Sequence, residues 1–300
     1  MIPNVSFLLS TWSVQQSFHL DAKILGVVLV MMVIVAAALL LLLKGKQWIL
    51  AGKKTQQQAR KTKADVKLIS RSPVNRHMRI GIVGGTGGMG EGFALRWCKK
   101  HEVVIGSRDA QKAIEAADNY TKAALAAFGS MGGSITGDDN IALGKDVDVL
   151  ILSIPYEFID DTCGKLAGKI RDDCIVVSPI VPMTRTDAGF VYIPLEQGKR
   201  QAVEMVAEKL PPRPRIVSAF HTISEVKLKN VGQGLDADTF ICGDDQGAVA
   251  KVTELVSEIA GLRPVYLGPL ALTYQAEILT PMLLNAAKRN KLKHPGVKLI

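Results

Sequence analysis

Between a short apolar run, MRIGIV, and a helix-forming stretch, MGEGFALRWCKK, the chain carries Gly85-Thr86-Gly87-Gly88-Met89-Gly90. Glycine-rich turns are common and weak evidence alone. The strand before, the helix after and a second strand, EVVIGSR, about 20 residues on make this one specific. Gly85 is expected to permit the tight turn, Gly87 to let the backbone approach a bound group, and Gly90 to let the helix pack closely on the strand. The helix N-terminus then presents unpaired N–H groups to an anion. Such an arrangement opens a βαβ unit that holds the pyrophosphate of a dinucleotide.

The end of the second strand selects among dinucleotides. An NAD enzyme usually places an acid there for the ribose hydroxyls, whereas an NADP enzyme needs cations and donors for the 2′-phosphate. This chain has Ser107 and Arg108, with Lys112 four residues after Arg108. The guanidinium offers a planar fork suited to phosphate, so NADP is favoured. The competing reading is a surface arginine paired with Asp109 or a neighbouring glutamate. Asp109 stands one place too late for the ribose acid and is expected to cap the helix DAQKAIEAADNYTKAALAAF.

Strand candidates continue at GSITG, VDVLILSIP, CIVVSPIVP, RIVSAFH, TFICGD and LRPVYLG, with helical stretches between most of them. This order predicts an α/β fold: a Rossmann-like, doubly wound parallel sheet with a smaller C-terminal α/β portion. Ligands in such sheets bind beyond the carboxyl ends of the strands. That places the segments beginning at Ile154, Pro179 and Phe220 at the crevice. The hydrophobic share of 48% is ample for a buried core. Cys98, Cys163, Cys174 and Cys242 have no paired spacing and signal neither a zinc site nor a redox dithiol. Asp244 and Asp245 look like a metal pair but are better placed to cap the next helix.

Ile24 to Leu43 reads ILGVVLVMMVIVAAALLLLL, 20 residues without a charge. At about 1.5 Å per residue this spans a hydrocarbon core of roughly 30 Å, and a transmembrane helix is expected. A cleaved signal peptide would need a shorter apolar region and a small-residue cleavage site. Lys44, Lys46, Lys53, Lys54, Arg60, Lys61 and Lys63 follow the span, so the positive-inside rule places the C-terminal bulk in the cytoplasm. Much of the net charge of +9 lies in this linker, where it serves solvation and topology or attraction to anionic lipid headgroups; with aromatics at 5%, neither use implies nucleic acid. The expected organisation is a short external N-terminus over 1–23, a span over 24–43, a basic linker over 44–77, a nucleotide-binding domain over 78–210 and a C-terminal portion over 211–300. The chain is thus expected to be a single-pass protein of the cell membrane.

The stretches MRIGIVGGTGGMGEGFALR, VVIGSRDAQKA, GSITG, LSIPYE, IVVSPIVP, SAFHTIS, CGDD, SEIAGLRPVYLGPL and LTPMLLN cover essentially all of Met78 to Ile300 in order. In them the chain resembles the F420-dependent NADP reductases, also called NADPH:F420 oxidoreductases. The first 77 residues lie outside the resemblance. It implies direct hydride transfer between nicotinamide and deazaflavin, with no metal and no covalent nucleophile, the protein supplying position and electrostatics. It further implies that Thr86, Gly87, Gly88, Met89, Ser107, Arg108 and Lys112 hold NADP, with Ile154 and Val181 along its path. His221, Ile223 and Leu270 would lie near coenzyme F420, His221 either touching the ring or hydrogen-bonded within its own loop. A homodimer is compatible with the resemblance. Two other functions remain open from sequence: the same fold reducing a flavin or ferric chelate, and a membrane-held NADP-sensing module without catalysis.

Overall fold

The computed structural model describes residues 77–193, 201–210 and 215–300. The expected span at 24–43 and its linker lie outside the described residues. Among the described residues no helix is long and apolar enough to cross a membrane.

Ten strands and eight α-helices occur among the described residues. The first half runs β1 (Arg79–Val83), α1 (Gly88–Trp97), β2 (Glu102–Ser107), α2 (Ala110–Phe128), β3 (Ser134–Asp139), β4 (Val149–Leu152), α3 (Ile159–Leu166) and β5 (Ile175–Ser178). It continues with β6 (Met183–Thr186), β7 (Gly189–Tyr192), α4 (Ala202–Lys209), β8 (Arg215–Ser218) and α5 (Glu225–Lys229). The chain ends with β9 (Ala237–Gly243), α6 (Gln246–Ser257), β10 (Leu262–Gly268), α7 (Thr273–Glu277) and α8 (Leu279–Arg289).

Eight strands form one sheet in the order β3-β2-β1-β4-β5-β8-β9-β10. Its central strands are apolar runs because both faces are covered. Alternate residues feed two cores: Ile80, Ile82, Val149 and Ile151 pack with Phe93 and Trp97 of α1, while Val83, Leu150 and Leu152 pack with Ile159, Cys163 and Leu166 of α3. The winding reverses between β1 and β4, which opens the crevice above the end of β1. Asp109 caps α2, its carboxylate accepting the Gln111 and Lys112 N–H groups, and Asp245 likewise caps α6 through the Ala248 N–H.

The sheet is not wholly parallel. β8 pairs with β9 antiparallel, and β10 is parallel to β9. A parallel return would need a crossover helix lying on the sheet. The connection after β8 instead contains only the five-residue α5, which docks on α1 through Arg96. The C-terminal strands therefore extend the same sheet. The β6–β7 hairpin stands outside it, closed around Asp187 and Ala188, with Gly189 in the positive-φ region at +128°. Asn285 of α8 brackets that hairpin by hydrogen-bonding both the N–H and the carbonyl of Phe190.

Candidate functional site

The glycine turn is built differently at its first position from the expectation. The left-handed residue is Gly84, at φ +70°, and not Gly85. A Cβ on Gly84 would lie 2.5 Å from Ser153 O and 2.9 Å from Ile154 Cγ2. Gly85 matters for space: its N–H donates to Ile82 O and Gly106 O, and a Cβ there would lie 2.8 Å from Ile82 O. Gly90 has the close packing expected of it, with a Cβ only 2.2 Å from Gly85 O. Gly87 is open, its nearest protein atom 3.9 Å from a would-be Cβ. It is also the N-cap of α1 and provides no side-chain bond. The open space at Gly87, at the N-terminus of α1 and beside an exposed Thr86, fits an anionic pyrophosphate approaching closely. Gly88 abuts the Glu225 carboxylate, 2.8 Å from a would-be Cβ.

At the end of β2, Ser107 Oγ accepts the Asp109 N–H at 3.2 Å. The Asp109 carboxylate is committed to its helix cap. Arg108 is exposed, and its guanidinium lies over the Phe158 ring, 5.3 Å from the centroid. Lys112 is exposed on the first turn of α2. These three side chains flank the same end of the crevice and can receive a phosphate. Asn140, absent from the sequence reading, ties this end to the glycine turn: its side chain accepts the Gly84 N–H at 2.9 Å and its own N–H donates to Ser107 O. Ile154 and Val181 are half-buried beyond β4 and β5.

A cavity of about 380 Å³ adjoins the start of α1. Met89, Met183, His221, Ile223, Leu283 and Leu284 supply most of its apolar wall, with Thr280, Glu225, His294 and Pro295 at other points of the lining. Phe220 sets the approach. Its backbone is left-handed at φ 70°, a conformation that costs a non-glycine residue roughly 1–2 kcal/mol. Its ring is held edge-on by Phe93 at 4.9 Å and Trp97 at 5.9 Å, and its N–H donates to Thr239 Oγ1. The bend delivers His221 to the cavity.

His221 is 5% exposed, and neither ring nitrogen has a hydrogen-bond partner. Burial pushes its pKa down to about 3, so the imidazole is neutral, with one donor and one acceptor to offer. The alternative of a histidine satisfied within its own loop is not what the structure holds. An unpaired polar ring in an apolar cavity fits a ligand that carries heteroatoms.

Leu270 stands apart from this group. Its N–H donates to Asp244 Oδ1 at 3.1 Å, and Asp244 follows β9. β9 runs antiparallel to β8 with Gly243 paired to Val217, so Asp244 lies toward the start of β8 and His221 beyond its end. From Leu270 the chain passes Ser218, whose Oγ lies 2.7 Å from Thr273 Oγ1, and reaches α8, where Thr280 Oγ1 donates to His221 O at 2.7 Å. Leu270 is not a wall of the cavity; Leu283 and Leu284 fill that role. The tail that brings His294 and Pro295 to the cavity is fixed to β9, Asp238 N donating to Val297 O and Asp238 Oδ2 accepting from Leu299 N.

Residues 79–182 match the family described as NADP oxidoreductase, coenzyme F420-dependent. The chain is 34% identical to the F420-dependent NADP reductase of Methanocaldococcus jannaschii over 74% of its own length and 98% of that protein. It is 32% identical to the enzyme of the same name from Methanothermobacter thermautotrophicus, over 74% and 94% of the two chains. A crystal structure from Arthrobacter sp. FB24, provisionally assigned as an F420-dependent NADP-reductase, superposes with a TM-score of 0.59 at 18% identity, covering 74% of this chain and 99% of that one; at that identity it supports the fold alone. With the relatives matched nearly end to end, the chain belongs to the F420-dependent NADP reductase family.

Proposed function

We propose that the chain exchanges hydride between NADP(H) and coenzyme F420. The observation that carries this reading is Met89, which belongs both to the glycine turn and to the wall of the His221 cavity. A nucleotide held on the turn and a flat ring held in the cavity would therefore meet at one residue. NADPH supplies a hydride equivalent and the deazaflavin accepts it, so the protein needs no nucleophile of its own. The N–H groups at the start of α1 would hold the pyrophosphate, and Ser107, Arg108 and Lys112 the 2′-phosphate. Met89, Met183, Ile223 and Leu283 would exclude water, and productive transfer needs the reacting carbons about 3 to 3.5 Å apart. His221 is neutral across the physiological range; its part is to orient a ring heteroatom by hydrogen bonding, not to deliver a proton.

The same reading places the enzyme at a membrane, with residues 24–43 as a single-pass anchor and the basic residues after it on the cytoplasmic side. It is supported by the uncharged 20-residue run and its charge asymmetry. Protease added to intact cells should then leave Met78 to Ile300 whole, and digestion without lysis would reverse the orientation.

The activity is tested by mixing purified full-length protein with NADPH and oxidised F420. The expected result is loss of F420 absorbance in step with NADPH oxidation, with deuterium passing from labelled nicotinamide to the deazaflavin. Rapid turnover of a flavin or ferric chelate with F420 inert would replace the acceptor. Tight NADPH binding without any turnover would favour a sensing module.

A further inference from the structure

β2 and β4 are not neighbours, since β1 lies between them, and their ends are about 9.6 Å apart at two strand spacings. Yet Arg108, just beyond β2, lays its guanidinium over Phe158, in the turn just beyond β4. The contact therefore passes over the end of β1, across the mouth of the crevice that holds the glycine turn.

Phe158 is 39% exposed and is not part of either core, while the adjacent Ile159 is fully buried under the sheet. Core packing does not explain an aromatic ring at this point. Its face is covered by Arg108 instead. A guanidinium held over a ring by cation–π attraction, here 5.3 Å from the centroid, has none of its N–H donors committed to a carboxylate partner. A carboxylate partner would occupy those same donors. The ring contact thus narrows the positions open to a long, exposed side chain without tying its donors to an acid.

We propose that Phe158 is a positioning residue for cofactor selectivity: it holds the Arg108 fork over the crevice so that the 2′-phosphate of NADP meets donors already in place. This rests on the reading of Arg108 as the 2′-phosphate contact. Loss of an exposed cation–π contact corresponds to about a two- to fivefold change in affinity.

The test is calorimetric binding of NADP+ and of NAD+ to the full-length protein and its variants, which does not depend on F420 turnover. F158A should weaken NADP+ about two- to fivefold and leave NAD+ where it was, while F158W should restore NADP+ binding. In an R108A background F158A should have no further effect. Equal losses for both nucleotides, no loss for either, or an additive loss in the double variant would each overturn the proposal. A wild-type protein that does not prefer NADP+ to NAD+ would sink the cofactor reading itself, whereas a preference that F158A leaves untouched sinks this inference alone.

Discussion

Asn140 Oδ1 accepts the N–H of Gly84 at 2.9 Å, joining the end of β3 to the left-handed turn after β1 across 56 residues of sequence. The same oxygen would lie 2.6 Å from a Cβ on Gly106, so the β2 glycine is what admits it. Asn140→Ala leaves a part-buried N–H unsatisfied, at a cost of roughly 1–3 kcal/mol. A melting-temperature loss on the order of 3 to 10 °C is expected, together with a raised KM for NADPH. Asn140→Asp keeps the acceptor but adds a negative charge beside a pyrophosphate site. It should retain most of the stability and still lose NADPH affinity; a variant normal in both respects would show that the bond does not shape the turn.

Arg108→Ala should raise KM for NADPH far more than for NADH. A charge-assisted hydrogen bond contributes about 1.5 to 3 kcal/mol, or roughly ten- to a hundredfold in affinity. Steady-state kinetics with both cofactors checks it, and matching losses would make Arg108 a structural residue.

His221→Leu separates ligand binding from folding. The ring nitrogens have no partner in the protein, and replacing an unsatisfied buried polar group with an apolar one is neutral or stabilising. The variant should melt at or above the wild-type temperature while its KM for F420 rises about tenfold, the size of one hydrogen bond to a bound ring. The pH dependence has a definite sign. Burial lowers the folded pKa from the ordinary 6.5 to about 3, so the unfolded chain takes up the proton first. The stability tied to this residue is present above pH 6.5 and is lost as pH falls from there toward 3. Melting curves between pH 4 and 7 should show His221→Leu losing less stability on acidification than the wild type.

Glu277 works in the opposite direction. It is fully buried and accepts from Tyr192 Oη at 2.6 Å and from the Ala202 N–H at 3.0 Å, joining α7 to β7 and to the start of α4. Burial raises its pKa to about 7, partly offset by those hydrogen bonds. The folded protein then keeps a proton that the unfolded chain has released, so the stability it contributes declines as pH rises from 4.5 to about 7. Glu277→Gln retains a carbonyl acceptor and cannot ionise. Its stability relative to wild type should improve between pH 5 and pH 8, and a constant difference would mean that Glu277 does not titrate in that range.

The residues legible from sequence were those whose local pattern has one structural meaning. Runs such as VLIL and IVV are apolar throughout because they are covered on both faces, and a glycine-spaced turn between strand and helix has few other uses. TFICG carries no mark of strand direction, since an apolar run reads alike either way. The reversal at β9 followed from the short α5 and its docking on α1, and Leu270 pairs with Asp244 after β9 instead of lining the cavity. Asn140 lies in DDNIALG, which reads as an ordinary polar loop until the fold brings it to Gly84. Thr280, Leu283, His294 and Pro295 sit in stretches whose spacing suits a core helix or a tail equally well, so only the packing of α8 and the tail against the His221 loop shows them as cavity wall. The turn from Gly84 to Gly85 was ambiguous because adjacent glycines leave the position of the positive φ open.

Arg96 is the last case, and it links the core to the cavity. It is nearly buried in α1, where Nε donates to Leu228 O at 2.9 Å and Nη2 reaches the carbonyls of Lys227, Asn230 and Gln233 within 3.0 Å. These are carbonyls at and beyond the end of α5, most of which a short helix leaves without backbone partners, while the Asn230 carbonyl also accepts the Gln233 N–H. A cation there also meets the negative end of the helix. Lysine presents a single point of charge and cannot span the same set, and methionine offers no donor at all. Arg96→Met should cost roughly 3 kcal/mol or more, because charge-assisted bonds are lost and the buried Leu228 carbonyl is left without its Arg96 partner. Arg96→Lys should fall between it and wild type. Since α5 begins directly after the segment from His221 to Ser224, loosening it should also raise KM for F420 more than KM for NADPH in whatever fraction of the variant stays folded. Thermal melts with the two KM values decide it: a stability loss with both KM values unchanged would confine Arg96 to the fold and detach α5 from the cavity.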